Sequence, residues 1–237
     1  MRPERPGDPH FKRQRTTDQQ PEEPDFRHWQ DRVVGAASAH LMPSRLYFIR
    51  HGETAWSATG QHTGHTDLPL TAQGEREAGE LAERLRAVPF SRVFTSPRRR
   101  ARQTCELAGL AAAGEIDPDL AEWDYGDYEG RRSVEILQER PDWNIYRDGC
   151  PRGEFPGQIL ARADRCIARF QVLEGTVAVF SHGQFGRVLL TRWLGLPIDS
   201  VPRFQLLTAS ISILSFERPA PAPPAIALWN FTGRNLA

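Results

Sequence analysis

Three short segments concentrate side chains suited to one kind of chemistry: Arg50-His51-Gly52-Glu53, Thr95-Ser96-Pro97 and Ser181-His182-Gly183. Two imidazoles and at least one guanidinium, brought together, match a dianionic phosphoryl group. Moving such a group to water without a metal requires a nucleophile, fixed cations around the equatorial oxygens and a proton donor for the leaving alcohol. His51 can attack phosphorus through a neutral ring nitrogen, while Arg50, Arg100 and His182 balance the charge on the phosphoryl oxygens. Gly52 allows a close backbone approach. Glu122, in Leu120-Ala121-Glu122-Trp123, is a carboxyl beside an aromatic ring. Desolvation there would help it hold a proton for the leaving oxygen and later activate water.

These residues must be positioned by the elements that carry them. Leu46-Tyr47-Phe48-Ile49 is a short apolar run ending in a polar loop, the pattern of a strand buried on both faces of a parallel sheet. Thr71 is a plausible N-cap for a helix carrying Ala78, Leu81, Ala82 and Leu85 on one face. Arg92-Val93-Phe94-Thr95 is a second strand, and Pro97 suits the first position of a helix running through Arg102 and Leu107 towards Gly109 or Gly114. Ile159, Ala163, Ile167 and Phe170 mark another helix; Val177-Ala178-Val179-Phe180 is a strand, followed by a helix from Phe185 to Leu194. Ile211-Ser212-Ile213-Leu214 and residues 225–229 are late strands on either side of a Pro/Ala linker. Alternating units of this kind specify an α/β fold with a mostly parallel central sheet flanked by helices. In such sheets the ligand crevice lies outside the carboxyl ends of the strands, so the three polar segments converge there.

The 237-residue chain holds 30 Lys+Arg against 30 Asp+Glu, which argues against nucleic acid or an anionic membrane as a partner. Lys12 is the sole lysine, a skew read as compositional background. No apolar run reaches bilayer length. Residues 1 to about 44, punctuated by Pro3, Pro6, Pro9, Pro21 and Pro24, read as a disordered extension, with one short amphipathic helix around Phe26, Trp29, Val33 and Val34 as a weaker alternative. Residues 45–237 form the single folded domain. Three cysteines without CxxC spacing disfavour a disulfide scaffold or zinc knuckle and fit a reducing cytoplasm. Cys105 and Cys166 fall on apolar helix faces, whereas Cys150 lies in a loop and is the one thiol whose reactivity the sequence leaves to be tested.

In combination, Leu46-Tyr47-Phe48-Ile49-Arg50-His51-Gly52-Glu53-Thr54, Ser96-Pro97-Arg98-Arg99-Arg100-Ala101-Arg102-Gln103-Thr104, Glu122 and Ser181-His182-Gly183 resemble the histidine phosphatase superfamily, which includes cofactor-dependent phosphoglycerate mutase. The resemblance implies a three-layer sandwich and no cofactor. It assigns His51 as the phosphorylated residue, Arg50 and Arg100 as its guanidinium neighbours, His182 as the second pocket histidine and Glu122 as the proton donor. Residues 56–71, 122–130 and 143–150 are similar to the sugar bisphosphatase branch typified by fungal sedoheptulose bisphosphatase. That similarity implies a substrate side built from Ser57, Thr63, Gly64 and Tyr125, joined by Gly183 and Gln184, with Trp143 and Arg147 in a cap above it. His62 and His65 depart from that branch's tyrosine and leucine, and the C-terminal region is shorter.

The expected activity is hydrolysis of a phosphomonoester on a small phosphorylated sugar, with a mutase-type phosphotransferase or a non-catalytic phospho-ligand module as alternatives. His62, His65 and Asp67 are close enough in sequence to suggest a metal, but the intervening Thr-Gly turn favours a substrate-loop surface and no metal site.

Overall fold

The computed structural model describes residues 45–216 and 223–233. The extension expected over residues 1–44 and most of the Pro/Ala linker lie outside the described residues. Six strands, β1 (Arg45–Arg50), β2 (Phe90–Thr95), β3 (Gly114–Ile116), β4 (Thr176–Ser181), β5 (Ile211–Phe216) and β6 (Pro224–Phe231), form one sheet in the order β3-β2-β4-β1-β5-β6. The four strands from β3 to β1 are parallel, whereas β5 is antiparallel to both β1 and β6.

Alternation along the strands sends side chains into two separate cores. Leu46 and Phe48 of β1 and Val177 and Val179 of β4 pack under α6 (Pro156–Gln171) and α7 (Gly183–Trp193). Ile49, Ala178 and Phe180 pack on the opposite face under α2 (Ala72–Leu85) and α3 (Arg99–Leu107). Both faces of the central strands are therefore dry, which is why their sequences are continuous apolar runs. Three short helices lie in the connections: α1 (Ala55–Thr59), α4 (Ser133–Glu139) and α5 (Ile145–Asp148). The result is the expected three-layer α/β arrangement.

Thr71 caps α2 as its sequence position suggests, its hydroxyl accepting the Gly74 N–H. One expectation is corrected. Pro97 does not open α3; the Ser96 hydroxyl accepts the Arg98 N–H, and the turn this makes delays the helix to Arg99, with Arg98 at the N-cap. Cys150, the thiol singled out for testing, is as buried as Cys105 and Cys166, and burial pushes all three thiols up to about 12.

The loop after β1 lies directly on the first turn of α2. Glu53 O accepts the Thr71 N–H at 2.9 Å, and the Glu53 N–H donates to Glu77 Oε2 at 3.1 Å. A Cβ on Gly52 would stand 2.4 Å from Gly74 O, and one on Gly74 would stand 2.1 Å from Glu53 O. Gly74→Ala is therefore expected to destabilise the fold by about 1–3 kcal/mol through overpacking. Gly79→Ala, in the same helix with nothing within 4 Å of the added methyl, should be neutral or stabilising by up to about 1 kcal/mol. Urea denaturation midpoints of the two variants check the contrast.

Candidate active site

Parallel pairing sets Arg50 opposite Ser181, so the residues that follow, His51 and His182, leave the sheet side by side. The His51 N–H donates to Ser181 O at 3.0 Å, and the two rings meet at 5.2 Å between centroids and 63° between planes. A second tie fixes the turn, since the Gly52 N–H donates to Thr104 Oγ1 of α3.

His51 Nδ1 lies 2.7 Å from Gly52 O. A carbonyl only accepts, so Nδ1 carries the proton and the Nε2 lone pair is available. Burial, reinforced by the Arg100 and Arg50 guanidiniums, holds this imidazole well below the usual 6.5, which keeps it neutral. His182 has the opposite tautomer: Nδ1 accepts from Arg100 Nε at 3.1 Å, so Nε2 carries the proton and donates to Ser96 Oγ at 2.7 Å. It too is held well below its usual value, first by burial and then by Arg100.

Arg100 is fully buried. Besides His182 it donates to the carbonyls of Thr63 at 2.8 Å, Thr66 at 3.1 Å and Gly64 at 3.4 Å. Glu129 grips the same loop from its N–H side, accepting from Gly64 and Thr66. The loop's backbone polar groups are thus satisfied by one buried cation and one carboxylate.

Glu122 stands at the N-terminus of α7. Its Oε1 accepts the Trp123 and Phe185 N–H groups at 2.8 and 2.7 Å, and Oε2 accepts the Gln184 N–H at 2.9 Å. Helix N-termini present unpaired donors and a positive dipole end, which explains the fit of a carboxylate there. Oε1 is saturated by two donors, whereas Oε2 keeps a lone pair.

These groups border a cavity of about 490 Å³. Arg50, His51 and Glu122 line it, as do Ser57, Thr63, Tyr125, Gly183 and Gln184. Arg100 and His182 sit behind the wall, their polar atoms committed to the protein. Gly64 is also outside; its role is close packing, since a Cβ would stand 2.5 Å from Trp123 O. Trp143 and Arg147, expected in a cap over the substrate, do not reach the cavity. Trp143 is a buried plug whose Nε1–H donates to Gly149 O and whose ring meets Tyr128 edge-on. Arg147 is exposed and committed to Asp148 and the Asp142 carbonyl. His62, His65 and Asp67 are aimed at different partners: Tyr125 and Ser133, Asp124 and Arg98, and the Arg99 N–H.

Sequence reasoning missed Arg187 and the wall from Pro202, Gln205, Leu206 and Leu207; His62, read from the sequence as part of a substrate-loop surface, also lines the cavity. Arg187 follows Gly183 by one helical turn, and helical side chains lean towards the N-terminus, so its guanidinium returns to the site. Its Nη groups donate to Gln184 Oε1 and Val201 O, leaving a buried Nε without a partner among the described residues. Arg50 Nε is in the same condition, while its Nη1 donates to Leu206 O.

The model of the histidine phosphatase superfamily (branch 1) matches residues 46–232. An acid phosphatase of Mycobacterium tuberculosis is 44% identical over 73% of this chain and 87% of its own length. A sedoheptulose 1,7-bisphosphatase of Saccharomyces cerevisiae is 42% identical over 67% of this chain and 71% of its own. Among solved structures, the product of an open reading frame of M. tuberculosis superposes with a TM-score of 0.72 at 39% identity, covering 80% of this chain and 98% of the other.

The stack of His62 on Tyr125, at 4.3 Å and 17°, has a consequence for stability. Burial lowers His62 to about 4, against a weaker pull from Glu129. An unfolded imidazole takes up its proton near 6.5. The share of stability due to the neutral folded ring is therefore complete above pH 6.5 and is lost as pH falls towards 4. His62→Phe, which keeps a stacking ring, should lose less stability than wild type on acidification from about pH 7 to 4.5, by on the order of 2 kcal/mol. Urea midpoints at the two pH values measure the difference.

Proposed function

The chain belongs to the histidine phosphatase superfamily, and from that premise we propose that it hydrolyses phosphomonoesters of small phosphorylated sugars through a phosphohistidine at His51. The observation that carries the reading is the His51 ring: neutral, with Nδ1–H held by Gly52 O and Nε2 left as the nucleophile at a cavity wall. In the first step Nε2 forms a bond to phosphorus, the bond from phosphorus to the sugar oxygen breaks, and that oxygen takes a proton carried on Oε2 of Glu122. In the second, water attacks phosphorus and gives its proton back to Glu122. The P–N bond breaks, inorganic phosphate leaves and His51 is restored neutral.

Charge stabilisation falls to fixed cations. Arg50, whose guanidinium lines the cavity, supplies positive charge to the phosphoryl oxygens. Arg100, held by His182 and three loop carbonyls, acts from behind His51 as a fixed positive charge in a dry environment, where its field is strong. This assigns charge work to the protein's own guanidiniums and makes the route independent of metal.

A sugar bisphosphate is the substrate class we favour. A relative named for that activity supports it, and so does Arg187, a second guanidinium lining the cavity. The cavity falls within the size range of small-molecule sites. Three free buried thiols fit a cytosolic setting.

Release of inorganic phosphate from a panel of sugar mono- and bisphosphates, with excess chelator present, tests the reading. Wild type should release phosphate, and His51→Ala should lose activity by at least about 10³-fold. An acid-labile phosphoprotein should be trapped in wild type and absent in the variant. Arg187→Met should raise KM for bisphosphates more than for monophosphates. Isomerisation of phosphoglycerates without phosphate release would replace hydrolysis by mutase activity. Silence on every substrate would leave a phospho-ligand binding module, and loss of activity in chelator would overturn the metal-free route.

A further inference from the structure

We propose that Arg162 of α6 is a positioning residue for Glu122, gripping it from its own backbone and from the far side of its hydrogen-bond partner. The inference rests on the reading of Glu122 as proton donor. Arg162 does not line the cavity. Its Nη1 donates to the carbonyls of Asp119 at 2.9 Å and Ala121 at 2.5 Å, and its Nη2 to that of Glu122 at 3.3 Å. The guanidinium carbon lies 4.7 Å from the ring centroid of Phe185, whose N–H holds Glu122 Oε1. One cation therefore fixes both the loop that carries the carboxylate and the helix turn that binds it.

The remaining donors of Arg162 go to Glu154, Nε to Oε1 at 2.9 Å and Nη2 to Oε2 at 2.7 Å. The two side chains are only 11% and 12% exposed. All five N–H groups of the guanidinium are thereby used on protein atoms. Glu154 also serves the loop: its backbone carbonyl accepts the Trp123 Nε1–H, its Oε2 accepts the Asp124 N–H, and its N–H donates to Asp124 O. A lysine has neither the planar fork nor enough donors to reproduce these contacts. Proton transfer to the leaving oxygen depends on sub-ångström placement, and a displacement of about 1 Å can cost on the order of 10²-fold.

The test exploits leaving groups. 4-Nitrophenol departs without protonation, whereas an alkyl alcohol needs the acid, and kcat/KM reports the step in which the leaving group departs. For Arg162→Lys and Arg162→Met, kcat/KM should fall by on the order of 10²-fold on glycerol phosphate but only within about 3-fold on 4-nitrophenyl phosphate, the same graded pattern as Glu122→Gln. Arg162→Met added to Glu122→Gln should cause no further graded loss. Thermal melts identify the variants that fold, and Glu154→Gln, which keeps shape but weakens the pair, should give a smaller loss of the same pattern. Equal losses on both substrates in the Arg162 and Glu154 variants, with Glu122→Gln graded, would make Arg162 merely structural and overturn the inference. An ungraded Glu122→Gln would instead refute the proton-donor reading itself, and with it any positioning role.

Discussion

The in-register parallel pairing of β1 with β4 is the constraint on which the site depends. Because Arg50 faces Ser181, the histidine after each strand is delivered to the same sheet edge, and a shift of one residue would reverse the faces of every side chain in the strand. Such a slip would move Leu46 and Phe48 out of one core and Ile49 out of the other. The register that buries the two apolar sets is also the register that juxtaposes the imidazoles. Stability and chemistry are coupled through one strand pair, and β5, antiparallel on the other side of β1, reinforces it.

Around that pair, polar atoms are paired in ways that set chemical character. His51 and His182 are both neutral, yet their partners give them opposite tautomers: a carbonyl fixes the proton of one on Nδ1, and a guanidinium pushes the proton of the other to Nε2. Only the first leaves a lone pair for attack. Arg100 and Glu129 hold opposite sides of the backbone between Thr63 and Thr66, and Glu122 takes the place of a missing cap on α7, whose own N-cap residue His182 makes no side-chain cap bond. Each charged group meets several backbone dipoles, the condition under which burial of charge is tolerated.

How far the sequence revealed this follows from the physics of each element. β1 and β4 were legible because strands buried on both faces are written as unbroken apolar runs, and Thr71 because a hydroxyl at that spacing caps a helix. The members of the site on those strand ends followed. β3 was missed because Gly114, Glu115 and Ile116 are three residues at an exposed edge, too short to carry a period. Arg187 was missed because the helix bearing it was expected to begin at Phe185; beginning at Gly183, it places Arg187 a full turn in, leaning back to the cavity. Trp143 and Arg147 were assigned to a cap by resemblance alone. An indole with a buried carbonyl partner and an arginine beside its own aspartate are local outcomes that family likeness does not encode.

The three thiols divide between the two faces of the sheet: Cys105 in the core under α2 and α3, Cys150 and Cys166 in the core under α6 and α7. Each is closed to solvent and held as the unreactive thiol, so alkylation proceeds only during moments when its surroundings open. Cys150 is tied through its backbone to Glu154, next to the loop that carries Glu122. The molecule thus contains separate covalent clocks for its two halves, and the one at Cys150 runs on the breathing of the segment that supports the acid.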